Sequence, residues 1–221
     1  MGRSLIALVV VCFVFTATSA LGWGVPSIGK KESAASSMTL EEAGGMQKQL
    51  VEKYIEASMH ESDAKIMMAN AFGMKDLAAT LEADKVALSS GNTDAVKDIS
   101  AKSEETTKQI EKVMEEKKLS SNESKELYAK SLIPYGKSVL ASKDMADLGK
   151  KCIEAAKDQV SNASLSNAMK VKSTLDVILS IGPELPGHLK NVLTTGSKFV
   201  SYAKSNDIQI PNDASASMGD L

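Results

Sequence analysis

Arginine is almost missing from this chain of 221 residues, where Arg3 is the only one. Without arginine there is no planar fork to grip a phosphate or carboxylate bidentately. With 26 basic against 28 acidic side chains there is no positive excess to neutralise a nucleic-acid backbone either. Nucleic acid is therefore excluded as an expected partner. Cysteine is scarce: Cys12 lies in an apolar leader and Cys152 stands alone after it, so the mature chain is expected to form no internal disulfide. Cys152 reads as a reactive or intermolecular thiol or, preferably, as a small buried hydrophobe. Histidine is limited to His60 and His188. There is no Gly-x-Ser-x-Gly, no Cys-x-x-Cys and no phosphate-cradling glycine loop. No run alternates apolar and polar residues as a half-buried strand would. An enzyme and a cofactor are not expected.

What is present begins with an address. Arg3 precedes an eleven-residue apolar run, 5–15, and small residues follow through Thr18-Ser19-Ala20. This is the order of a secretory signal peptide. The run falls short of the roughly 20 residues that span a bilayer. Residues 1–20 are thus expected to be removed, with cleavage after Gly22 as the runner-up. Residues 21–37, rich in Gly, Ser and Ala, read as a flexible arm. Its Trp23 would tie the arm to the body or anchor it to a partner or membrane interface. The chain from 38 to 206 reads as one helical domain, and 207–221 as a disordered tail.

Within that domain the apolar spacing is helical throughout. Thr39 with Glu42 forms a capping box, and Gly73 is a stop signal. A second segment covers 75–89. From 93 to 118 the stripe is thin and the surface highly charged, as on a helix packed on one side or in a coiled-coil seam. Ser120 with Glu123 suggests another cap. The segment after it, 123–160, is long, and Pro134 with Gly136 predicts a kink or break near Ile133. Residues 175–203 are the most apolar part of the mature chain. Gly182-Pro183 and Pro186-Gly187 divide it into arms 165–181 and 189–205, a bent hairpin expected to form the core. The fold class is all-α, an antiparallel bundle of about five to six amphipathic helices.

Three sets of residues invite a chemical reading. Glu56, His60 and Asp63 share one helix face and could ligate a metal. A di-iron bundle, however, needs Glu-x-x-His on two helices, and Ala57 and Leu185 stand three before the histidines. Met59, Met67, Met68 and Met74 suggest thioether ligands for copper(I), yet Met59 and Met67 are about 12 Å apart along a helix. Both sets read better as surface and core. Asn122 and Asn162 begin glycosylation sequons but also sit where helices need caps. His188, just after the bend, is the remaining polar residue of interest, and the simplest reading places it at a water-exposed helix start.

Gly22-Trp23-Gly24, the run ALSSG at 87–91, SKELYAKSL at 124–132, Tyr202 to Asn206 and Ile210-Pro211 give the chain a resemblance. It looks like a loose group of uncharacterised exported helical proteins of Gram-negative bacteria. The resemblance implies a periplasmic location and brings no site residues. The functional expectation is a non-catalytic exported bundle that binds an envelope partner or a small apolar ligand. The alternative is a membrane-active protein that inserts 175–203. Asp176, Glu184, His188, Lys190 and Lys198 oppose it, since Lys or Asp costs about 2.5–3.5 kcal/mol at a bilayer centre.

Overall fold

The computed structural model describes residues 39–90, 93–162, 169, 171, 175, 178 and 182–218. The expected signal segment, the arm with Trp23 and most of the hairpin's first arm lie outside them. Among the described residues there is no strand, and the architecture is all-α.

Helix α1, Leu40–Ala71, starts where the local chemistry places it. The Thr39 hydroxyl accepts from the Glu42 amide at 3.2 Å, and the Thr39 amide donates to the Glu42 carboxylate at 2.7 Å. It ends at Gly73, whose φ of 74° is a left-handed value open to glycine without strain. Helix α2, Lys75–Ser89, follows as a separate element, and α3 spans Thr93–Glu116. Helix α4 runs unbroken from Asn122 to Asn162. Its cap is Ser121, whose hydroxyl accepts from the Ser124 amide at 3.0 Å, one residue later than expected. Met169, Val171, Leu175 and Ile178 are helical, and the last three are buried. A 3-10 turn at Gly182–Glu184 leads into α5, Leu185–Ser205, and the short α6, Asn212–Met218, closes the described chain.

The most extensive packing joins α1 to α4; α2 lies on α1, while α5 and α6 lie on α4. Most of the first arm of the 175–203 hairpin lies outside the described residues; among those described, this long pair is the main packing axis. Its sequence basis is a seven-residue period. Ala43, Leu50, Ala57, Ala64 and Ala71 are buried on α1; Tyr128, Tyr135, Ser142, Gly149 and Ala156 are buried on α4. Such a repeat keeps one seam of each helix facing its partner, and small residues let the backbones approach. Helix α3 touches its neighbours sparingly, as its thin stripe predicts.

Three expectations are corrected. Pro134 does not break α4. A proline inside a helix costs about 3 kcal/mol, but Leu132, Tyr135 and Val139 around it are fully buried and together outweigh that cost. Pro186 and Gly187 do not separate two arms, because they lie in the first turn of α5, where proline's missing N–H is harmless. The tail is not disordered from 207 to 218. Asp207 turns the chain at a φ of 55°, and Ile208, Ala214 and Met218 are buried. Gly136 makes this possible: a Cβ there would sit 2.7 Å from the Ser217 Cβ. What reads as a helix breaker is the notch that admits α6.

Candidate functional site

The polar centre of the molecule lies on α1, in the seam itself. Tyr54, Glu61 and Met68 follow the seven-residue period, so Glu61 stands where an apolar side chain would ordinarily pack. The run from His60 to Asp63 is thus not wholly a solvated face. Glu61 is only 8 % exposed and Lys65, one turn on, only 2 %. The Lys65 ammonium reaches Glu61 Oε1 at 2.6 Å, the Ser103 carbonyl at 2.9 Å and the Ser103 hydroxyl at 2.8 Å. Its three donors meet three acceptors. Ser103 in turn donates to Glu61 Oε1 at 3.0 Å, and the hydroxyls of Thr106 and Thr107 also donate to its carbonyl. A buried charge pair persists when its remaining hydrogen-bonding capacity is filled in this way.

His188 belongs to this centre. It is half-buried in the first turn of α5, with its ring 5.8 Å from that of Tyr54 and Nε2 3.5 Å from the Ser142 hydroxyl. The expectation of a water-exposed helix start is corrected: Leu185, fully buried against α4 at Gly149, turns this face of α5 inward. Burial pushes the Glu61 carboxyl up, but the charges of Lys65 and His188 and the bonds from Lys65 and Ser103 outweigh it, holding the group below its ordinary value. Burial pushes the His188 imidazole down; the Glu61 charge opposes this and the Lys65 charge adds to it.

Serine, histidine and glutamate lie near one another here, which invites a nucleophile reading. A separation of 3.5 Å is the outer limit of a hydrogen bond, Ser142 is fully buried, and Glu61 is engaged by Lys65 and Ser103. The cavity beside them is about 30 Å³, room for a water or two and not for an organic substrate. What this arrangement can do is hold charge and bind a proton.

The other candidate residues are dispersed. Cys152 is fully buried, with Sγ 3.7 Å from the Met46 carbonyl, and burial raises its thiol above the ordinary value. Glu56 pairs with Lys53 and Asp63 with Lys85. Among the described residues no group of three His, Cys, Asp or Glu side chains is placed to hold a metal ion. Met68 and Met74 join one core cluster and Met59 the other. Between α2 and α3 an open groove of about 340 Å³ is lined by Asp76, Leu77, Thr80, Lys102, Glu105 and Gln109. No described helix is long and apolar enough to cross a membrane. Comparison with protein-family models, curated proteins and solved structures finds no match.

Sequence reasoning missed Glu61, Lys65 and Ser103. The signal was available: a strict seven-residue period along α1 with a carboxylate on the seam. Ser103 carried none, because its role depends on how α3 lies against α1.

Proposed function

We propose that this chain is an exported, non-catalytic helical bundle that acts by binding a partner protein of the cell envelope. The observation that carries the reading is α3, a helix of 24 residues attached along a narrow seam, with most of its described charged side chains, from 102 to 116, and the groove beside α2 open. The cavity at Glu61, about 30 Å³ and lined by paired polar groups, does not suit an apolar ligand. Export rests on Arg3, the apolar run 5–15 and Thr18 to Ala20. The resemblance to exported proteins of Gram-negative bacteria supports a periplasmic site of action.

Photo-crosslinking in living cells tests this. A crosslinker at Gln109 is expected to trap one envelope protein, whose binding to the purified chain weakens at least tenfold with Asp76→Lys and Glu105→Lys together. Solvent extraction of the native protein that yields a stoichiometric apolar molecule would overturn the reading. So would robust dye release from vesicles, which would favour the membrane-active alternative.

A further inference from the structure

The start of α5 is held without a side-chain cap. It follows a 3-10 turn and carries Pro186 and Gly187 in its first turn. An added Cβ at Gly187 would meet nothing. Two side chains hold this end inward: Leu185, seated against Gly149, and His188, which meets Tyr54 of α1 and Ser142 of α4.

The surroundings of His188 make its charge consequential. Helix α1 presents Tyr54, Glu61 and Lys65 to the shared cavity; α2 brings Asp84 and α3 brings Lys102, these two being paired at 4.0 Å. Helix α4 contributes the Ser142 hydroxyl; Glu184, in the 3-10 turn before α5, and Lys190, on α5, are exposed. The negative charge nearest to His188 in this centre is already bonded to Lys65 and Ser103. A proton on the imidazole would therefore add a third cation, beside Lys65 and Lys102, to a small space whose two carboxylates, Glu61 and Asp84, are already paired.

We propose that His188 is a proton-operated latch: neutral, it closes the start of α5 onto α1 and α4; protonated, it releases that start. The sign follows from linkage. Burial holds the folded imidazole below its ordinary value of 6.5, so the unfolded or released state binds the proton better. The contribution of His188 to closure is complete above that value and is lost as the pH falls below it. Histidine is the side chain suited to such a change near neutral pH.

Amide exchange of residues 185–190, followed from pH 7 to pH 5 in the intact protein alongside the ring resonances of His188, tests the latch. Corrected for intrinsic rates, opening at 185–190 is expected to rise several-fold over that interval while 199–203 stays protected. His188→Gln keeps a polar contact to Ser142 but cannot titrate, and is expected to abolish the rise. Ser142→Ala removes a partner of the neutral ring and is expected to move the release to higher pH in a protein that remains folded. The latch is overturned if His188 titrates while exchange at 185–190 stays flat, or if the His188→Gln protein keeps the same pH dependence.

Discussion

The two halves of the α1–α4 pair are held by different means. At one end the core is aromatic. Phe72, Tyr128, Tyr135, Phe199 and Tyr202 interlock, with ring centroids 4.9 Å apart for Tyr135 and Phe199 and 5.9 Å for Phe72 and Tyr128. Each tyrosine there also donates to a distant backbone carbonyl: Tyr128 to Phe199, Tyr135 to Val192, Tyr202 to Lys117. Burial raises all three phenols, so they remain protonated donors at any ordinary pH. At the other end the core is built of Ala43, Leu50, Leu88, Cys152, Ala156 and Ile178, and beside it lies the Glu61–Lys65 centre. The aromatic end fixes register with neutral, directional bonds and is indifferent to acid. The other depends on close approach and on the ionisation of a few groups. The molecule thus has one unconditional half and one conditional half.

The largest effects should come from emptying either half. Phe199→Ala removes a fully buried ring at the aromatic end and is expected to cost about 3–5 kcal/mol, read from urea unfolding, with no dependence on pH between 5 and 8. Lys65→Met is expected to cost a comparable amount, about 3–5 kcal/mol, because it leaves Glu61 charged and unpaired. This loss, unlike the first, should be largely recovered when Glu61→Met is added, since apolar replacements of a whole buried pair are often neutral. Wild-type stability should also fall in acid through this half. The folded Glu61 carboxyl is held below its ordinary 4.5, so the stability it contributes is present above that value and lost as the pH drops below it. If the double variant is as unstable as Lys65→Met and equally acid-sensitive, the conditional half is not built on this pair.

A smaller effect probes the notch. Gly136→Val places carbon against Ser217 and should expel α6 while α4 persists, at about 1–3 kcal/mol. Proteolysis near 207–211 would rise accordingly. This site also shows what was legible in the sequence and what was not. The ends of α1 were readable because Thr39, Glu42 and Gly73 act on their own neighbours. Gly136 and Pro186 were misread because the same residue types that end a helix also serve inside one. Only α6 packed against the first, and the first-turn position of the second, decide which. The α1–α4 pair went unread for a related reason. Mean apolarity favoured 175–203, whereas alanines repeating every seven residues on α1 carry little hydrophobicity but allow the closest packing. Glu61 was passed over beside His60 and Asp63, which read as surface, because a charged residue is judged by type until the seam is counted.

The smallest effects separate two of the tyrosines, Tyr135 and Tyr202. Tyr135→Phe removes a bond at 2.9 Å to the Val192 carbonyl, which lies inside α5 and can keep a helical donor. The expected loss is about 0.5–1.5 kcal/mol. Tyr202 differs although its bond to Lys117 is similar, 2.8 Å. Its hydroxyl also accepts from the Leu119 amide at 3.2 Å, and both partners lie in the connection between α3 and α4, outside any helix. Leu119 is buried, so Tyr202→Phe leaves an amide without its acceptor, at about 1–3 kcal/mol. Hydrogen exchange should show the cost locally, as faster exchange at Leu119 and the first turn of α4, with 128–139 still protected. Equal losses for the two variants, spread evenly over the domain, would mean that the aromatic end is held by ring packing alone. Its tyrosine hydroxyls would then be passengers, not cross-links.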